Sequence, residues 1–420
     1  MSNTRVVDFG PLRGKGLVAN RKLSTGEILF SEDPLVCCQF SWNKLYGYLA
    51  CDHCLCPLES ALENARRLTG NPSLELPHDG CGSLSIIPVK CPDCGTRYCT
   101  AECLNAASDS YHRLLCPKMY DASFPILYEK VDELWRHFHY PPESGTIMLL
   151  LRMVAMAFNA RFFNSESCSK IVEELNSFVC ATVENTNVNN VHESTVSHKL
   201  LRPDFADALT ELHGAFSNLL LHMALQLCHY TRDPTLVLEQ CGVASLLSID
   251  GFKTALCLLG RNAQGIATSA VSLWAKALEN SVIPNVNPEE ASRLNEQVEN
   301  LYNCMNDHVG VFLDNEGVGL YSHQRFINHS CSPNASVNYT GINSRLSVVA
   351  SRDIQPDEEI TISYLDECDL TRSRHSRRKI LSSNYLFWCD CPRCMVEKTD
   401  ENYESATSTE EEEDVPMDGE

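Results

Sequence analysis

Four paired metal-ligand spacings fall within one 66-residue stretch: Cys51-x2-Cys54, Cys91-x2-Cys94, Cys99-x3-Cys103 and His112-x3-Cys116. No other feature limits the fold as strongly, because these spacings commit eight side chains to metal before any core is considered. Seven thiolates and one imidazole make two four-ligand sets, the count for two closed tetrahedral zinc sites. A two-residue gap lets both sulfurs of one turn reach an ion at about 2.3 Å. A three-residue gap sets two ligands one helical turn apart. Four ligands leave no open position, so both zincs are expected to be structural and not catalytic. Cys56 and Cys81 lie inside the block but outside the pairs.

Whether cysteines signal metal or disulfides depends on the compartment. The chain has 420 residues, 22 of them cysteine. Met1 to Arg21 is polar and charged with no apolar stretch, which reads as no secretion signal, and no run of eighteen apolar residues reads as a membrane span. The expected setting is the cytoplasm, the nucleus or both, where thiols stay reduced and clustered cysteines point to metal. Scattered ones such as Cys37, Cys168 and Cys257 read as small buried apolar residues. The net charge is −21, and residues 401–420 carry nine acids with no Lys or Arg, leaving −12 for residues 1–400. An acidic body suits a basic protein partner better than phosphates, so no direct nucleic-acid binding is expected.

Along the chain, residues 5–40 read as short strands: Val6 to Phe9, Leu17 to Ala19 and Glu27 to Phe30, broken by Gly14-Lys15-Gly16 and Ser24-Thr25-Gly26. Leu58 to Leu68 has helical spacing and Asn71 to Pro88 reads as loop. Apolar periodicity predicts helices at Ile147 to Phe158, Leu209 to Leu227 and Ser269 to Leu278, within a mainly helical span 125–305. Phe252 to Gly260 and Gly265 to Ala270 read as turn or short strand. Strand patterns return at Arg345 to Ala350 and Glu359 to Tyr364, and a last helix is expected over Thr371 to Asn384. Strands at both ends of such a chain suggest one β domain with two insertions.

A second constellation sits near the end: Asn328-His329-Ser330-Cys331-Ser332-Pro333-Asn334, then Ile362-Ser363-Tyr364-Leu365-Asp366, then Cys389-x-Cys391-x2-Cys394. On spacing, the last cluster offers three ligands and needs a fourth, for which Cys331 is the candidate. Together with Gly14-Lys15-Gly16-Leu17 and Gly26-Glu27-Ile28-Leu29, these stretches match the SET domain family. The first cysteine block resembles the MYND zinc finger, and a SET domain interrupted by such a finger resembles the SET-and-MYND methyltransferases. The resemblance covers nearly the whole chain up to Cys394. It implies an α+β fold, a SET-domain β fold split by a MYND finger and a helical insert, with a cysteine-rich post-SET zinc site. The expected division is 1–48 SET N-terminal part, 49–117 MYND, 118–320 helical linker and insert, 321–367 SET C-terminal core, 368–395 post-SET and 396–420 disordered acidic tail.

The resemblance implies roles residue by residue. Cys51, Cys54, Cys99 and Cys103 would share one zinc, and Cys91, Cys94, His112 and Cys116 the other. Cys331, Cys389, Cys391 and Cys394 would hold a third. Gly14, Lys15 and Gly16 would approach S-adenosylmethionine through backbone, and Asn328 and His329 would hydrogen-bond it. Tyr385 and Phe387 would line the cofactor and lysine channel, Tyr364 would be the catalytic tyrosine, and Asn262 and Ile266 match a cofactor-contacting segment of the insert. The implied activity is methyl transfer to a lysine of a basic protein, histone or ribosomal, by a monomer whose finger can dock a proline-rich peptide. A lysine with pKa near 10.4 must lose its proton first, which a narrow apolar channel favours.

Three features depart from the family's usual pattern. Thirty-six residues separate Cys54 from Cys91, Arg325-Phe326-Ile327 replaces a small-plus-leucine stretch, and Asp357 stands where glycine is common. The chain runs only 26 residues past Cys394, so the helical, TPR-like domain many members carry is not expected; this resembles one divergent branch of the group. Two rival readings are a catalytically silent scaffold recruiting partners through its finger and a RING-like ubiquitin ligase. The basic run Arg372, Arg374, Arg377, Arg378 and Lys379 reads as a solvated helix face, and His213, His222 and His229 as ordinary helix residues.

Overall fold

Short runs of Val, Leu and Ile between glycine turns give the first forty residues four strands, β1 (Thr4–Asp8), β2 (Lys15–Ala19), β3 (Ile28–Glu32) and β4 (Val36–Gln39). The computed structural model describes residues 3–10, 13–82, 86–138, 146–179, 205–227, 233–310, 313–339, 342–385 and 387–398. A hairpin of two-residue strands follows, β5 (Val89–Lys90) with β6 (Arg97–Tyr98). The remaining described strands come much later: β7 (Gln264–Thr268), β8 (Asn315–Leu320), β9 (Asn328–His329), β10 (Ala335–Asn338), β11 (Leu346–Ala350) and β12 (Glu359–Ile362).

Each sheet containing an N-terminal strand is completed from beyond residue 260. The orders are β1-β2-β12-β9, β10-β11-β3 and β4-β8-β7. Pairing is antiparallel except between β12 and β9, which run parallel with Thr361 beside Asn328 and Ile362 beside His329. One core unites the two ends: Leu17, Leu23 and Leu29 pack with Tyr321, Val348 and Ile360, all at most 3% exposed. Each such side chain contributes about 1.5–3 kcal/mol on burial. The expected β domain with insertions is therefore the observed one. β7 and β8 belong to it although they fall inside the span 118–320 read as helical insert.

The helix Ile147–Phe162 is apolar on nearly every face and correspondingly buried, and Thr146 caps its first turn through Met148 N–H. Helices Ala206–Leu227 and Ala270–Ala277 lie where periodicity placed them, the second capped by Ser269. The helix near Leu58 begins at Ala61, because Ser60 and Glu63 close a capping box there. Phe252 to Gly260 is not turn or strand: it lies inside the helix Ile249–Asn262. Phe252, Leu256 and Leu259 form a buried stripe at helical spacing, and Gly251 is present because a Cβ would meet Ser245 O at 2.0 Å. The last helix is two, Glu367–Thr371 and Arg374–Tyr385, separated where Arg372 is extended.

His213 contacts Leu246 O at 3.1 Å and His222 lies 3.5 Å from Asp121; neither joins a metal-ligand cluster among the described residues. His229 and residues 399–420, most of the expected disordered tail, lie outside the described residues. Among the described residues no helix is long and apolar enough to cross a membrane.

Candidate active site and metal centres

Both Cys-x2-Cys pairs sit on the same turn. Leu55 N–H returns to Cys51 O at 2.9 Å, and Gly95 N–H returns to Cys91 O at 3.0 Å. Cys51 N–H then bonds Cys56 O at 2.8 Å and Cys91 N–H bonds Thr96 O, also at 2.8 Å. The residue after the second cysteine has positive φ in each turn, +76° at Gly95 and +58° at Leu55. Glycine takes this conformation freely, whereas leucine is strained in it. Leu55 is held there because its fully buried side chain belongs to the strand core, where it packs with Cys37, Ile266 and Tyr321.

Three groups of four ligand atoms result: Cys51, Cys54, Cys99 and Cys103; Cys91, Cys94, His112 and Cys116; and Cys331, Cys389, Cys391 and Cys394, the atoms of each within 4.8 Å of one another. These are the sets expected from the sequence. At a Zn–S length of about 2.3 Å a tetrahedron has edges of about 3.8 Å. The observed separations include 3.6 Å for Cys54–Cys99, 3.5 Å for Cys99–Cys103, 3.5 Å for Cys94–His112 and 3.6 Å for Cys331–Cys394. Burial holds His112 below the ordinary imidazole range, which favours the neutral ligating form. All three groups fit a tetrahedral thiophilic ion.

N–H donors surround the third group. Cys331 N–H faces Cys391 Sγ at 3.4 Å, Cys391 N–H faces Cys389 Sγ at 3.5 Å, and Arg377 Nη2 donates to Cys394 Sγ at 3.6 Å. Arg377 is fully buried and paired with Glu397 at 2.6 Å. The basic run of the last helix is thus not wholly a solvated face. A buried guanidinium beside four sulfurs offsets the excess negative charge such a set carries around a divalent ion.

The second focus lies where β9 meets β12. Asn328 donates from its amide to Lys15 O at 3.3 Å and to Glu359 Oε1 at 3.0 Å, tying the Gly14–Gly16 turn to both strands. Arg13 forms an ion pair with the same Glu359. Gly14 has φ +65°. A Cβ on Gly16 would stand 2.5 Å from Phe9 Cε2 and 2.8 Å from Asn328 Nδ2, so glycine is required there by the protein's own packing. Lys15 turns its ammonium toward the Phe326 ring, 5.8 Å away.

Tyr364 follows β12. Its N–H donates to His329 Nδ1 at 2.9 Å and its hydroxyl to Ile327 O at 2.7 Å. Its ring centroid is 4.8 Å from Tyr385, 5.4 Å from His329 and 6.3 Å from Phe387. Tyr385 donates its hydroxyl to Tyr364 O at 3.4 Å. Burial pushes the Tyr364 phenol well above its ordinary value, with Tyr385 adding to this and Arg261 opposing it, so the hydroxyl stays protonated. Burial brings the His329 imidazole down to about 4, outweighing the nearby Cys391 sulfur. Asn328, His329, Tyr364, Tyr385 and Phe387 are therefore one aromatic and amide nest, joined to Gly14, Lys15 and Gly16 through the Asn328 amide. Asn262 instead spends its amide on Val179 O and Leu258 O, and Ile266 is buried in β7.

A SET domain family model matches residues 14–365. Mouse protein-lysine N-trimethyltransferase SMYD5 is 42% identical over 402 residues, spanning 95% of this chain and 88% of that protein. Its human counterpart of the same name is 40% identical over 403 residues, spanning 94% and 86%. Mouse histone-lysine N-methyltransferase SMYD3 matches a shorter stretch, 43% over 84 residues, or 20% of this chain and 18% of that one. The chain belongs to the SET-and-MYND family.

Several residues of this SET-and-MYND chain that shape the nest carry no motif. Arg325, in the departure noted above, lies between two rings, 4.1 Å from Phe178 and 4.5 Å from Phe326, and donates to Ser322 O and Ser177 Oγ. It fastens the end of helix Glu166–Leu175 and the turn after it to the approach to Asn328. Phe9, Glu359 and Arg377 carry no motif either: Phe9 closes on Gly16, Glu359 pairs with Arg13 from the other end of the chain, and Arg377 is buried beside Cys394.

Proposed function

We propose that this chain transfers methyl groups from S-adenosylmethionine to a lysine of a basic protein, histone or ribosomal, in the cytoplasm or nucleus. The observation that carries the reading is the clustering of Tyr364, Tyr385, Phe387 and His329 beside Asn328, whose amide reaches Lys15 O between Gly14 and Gly16. Relatives alike over nearly their whole length are named protein-lysine N-trimethyltransferases, so a trimethylated lysine is the product to look for.

When bound, S-adenosylmethionine supplies a methyl group on a positively charged sulfur, open to in-line displacement by a neutral amine. The rest falls to this chain's residues. Tyr364, Tyr385 and Phe387 exclude water around the amine and disfavour the ammonium form. The Tyr364 hydroxyl, protonated and fixed on Ile327 O, orients and stabilises charge and does not act as a base. Both ring nitrogens of His329 are occupied within the protein, which leaves its main chain for the cofactor. Alignment of this kind supplies several kcal/mol.

In this reading residues 49–117 are a MYND finger with two structural zincs, 368–395 a post-SET motif with the third, and 118–320 the insert carrying β7 and β8. The test is tritium transfer from labelled S-adenosylmethionine into a lysate depleted of this protein, with wild type beside Tyr364→Phe and labelled bands identified by mass spectrometry. Methyl-lysine made by wild type and lost or greatly weakened in the mutant supports the proposal. Absence of label from folded, metal-loaded, cofactor-binding wild type would sink it and leave a scaffold.

A further inference from the structure

Segment 327–331 grips Tyr364 at two points and carries one ligand of the third metal cluster. Ile327 O accepts the Tyr364 hydroxyl, His329 Nδ1 accepts the Tyr364 N–H, and Cys331 Sγ is a cluster ligand atom. The parallel ladder of β9 and β12 ends with Ser330 N–H on Ile362 O at 2.9 Å. Tyr364 lies beyond it, so its N–H has no strand partner, and the imidazole stands in for one.

The direction of these bonds is fixed by chemistry. A backbone N–H can only donate, so Nδ1 carries the lone pair and the ring proton of neutral imidazole sits on Nε2. Nε2 faces Cys331 Sγ at 3.4 Å, and a sulfur committed to a metal accepts that proton's hydrogen bond. One ring of a residue 9% exposed thereby connects a metal ligand to the backbone of the tyrosine. On the far side of the cluster, Arg377 donates to Cys394 Sγ at 3.6 Å.

We propose that His329 is a positioning residue whose imidazole couples the third metal cluster to Tyr364, so that metal retention there and cofactor binding in the nest reinforce each other. This rests on the methyltransferase reading and on three loaded clusters. Coupling between two sites is reciprocal, and typical couplings are about 5–150-fold. Cofactor that orders the nest therefore slows metal loss from Cys331, Cys389, Cys391 and Cys394, by roughly fivefold or more.

The test follows zinc release from the full-length, zinc-loaded protein into a chromogenic chelator, with and without saturating S-adenosylmethionine. Cys394→Ser identifies the release phase belonging to the third cluster. His329→Asn keeps an acceptor near Nδ1 but removes the donor toward Cys331; His329→Gln keeps a donor near Nε2 but loses the acceptor. The expected result is slowing by the cofactor in wild type, falling below about twofold in both variants. Arg377→Lys, which disturbs the cluster from its other side, changes the release rate yet keeps the cofactor effect. Equal slowing in wild type and His329→Asn, or none in a wild type that binds cofactor by calorimetry, overturns the coupling. Absence of calorimetric binding, or zinc content of two per chain, instead sinks the reading on which it rests, and the coupling with it.

Discussion

Arg152 donates to the Asp52 carboxylate at 2.7 Å, and the pair bolts the first cysteine turn to the helix Ile147–Phe162. The same guanidinium donates to Cys37 O, Asp52 O and the Tyr111 hydroxyl and lies 4.2 Å from the centre of the Tyr111 ring. Burial alone would raise the Asp52 carboxyl, but the charges of Arg152 and Lys44 hold it below the ordinary value. That contribution to stability is complete above the unfolded value of about 3.9 and is lost as pH falls through the lower folded value.

Arg152→Met leaves Asp52 half-buried without its charged partner. We expect a loss of about 3–5 kcal/mol at pH 7 in urea denaturation of the metal-loaded protein. Burial then raises the folded carboxyl above its unfolded value, a cost relieved by protonation. The gap between mutant and wild type should narrow as pH is lowered toward 5; a gap constant with pH would show that packing and not charge dominates.

Leu55 sets backbone strain against burial. Leu55→Gly relieves about 1 kcal/mol at φ +58° but empties a core site. The loss of a buried leucine side chain costs about 3–5 kcal/mol. The expected net is a destabilisation of about 2–4 kcal/mol, read from the denaturation midpoint with metal bound. An unchanged midpoint would refute the account of why leucine occupies this turn.

Gly16→Ala drives a methyl group against Phe9 and Asn328. Overpacking of this kind costs about 1–3 kcal/mol. We expect at least tenfold weaker cofactor binding by calorimetry. Adding Phe9→Leu should restore part of it, since the ring edge recedes but the Asn328 amide does not.

Arg325→Ala and Arg325→Lys should behave alike, because lysine has no planar face to lie between Phe178 and Phe326. Two ring contacts and two hydrogen bonds are lost. Hydrogen exchange over 174–179 should quicken roughly 10–100-fold, equivalent to about 1.4–2.8 kcal/mol. Protection retained in the lysine variant would mean that charge alone holds the segment.

Elemental analysis should return three zincs per chain, falling to two in Cys394→Ser while Cys51 and Cys91 and their partners stay loaded. Loss of all three in that mutant would mean that the clusters fold as one unit.

Much of the candidate site was legible because its signals are short-range. Cys51-x2-Cys54 and Cys91-x2-Cys94 are turns whose geometry follows from two intervening residues, and Cys99 and Cys103 flank the start of the capped helix Ala101–Ala107. The helix Ile249–Asn262 was missed because its two glycines outweighed the Phe252, Leu256 and Leu259 stripe, and Gly251 turned out to answer a close approach from Ser245.

The sequence by itself determined the ligand types, their pairing into turns and the strand-rich ends, since each depends on a few neighbouring residues, whereas the aromatic positions of the nest were implied by the family resemblance. Only the tertiary structure decided that His329 spends both nitrogens inside the protein, that Leu55 leaves the metal turn for the strand core, and that Arg152 and Arg377 are buried. Those relationships span from a few residues to more than two hundred along the chain. They arise because β1 to β4 are completed by strands from the far end, and a buried charge, a strained leucine or an imidazole between two partners is stable only once that closure has brought the partners into place.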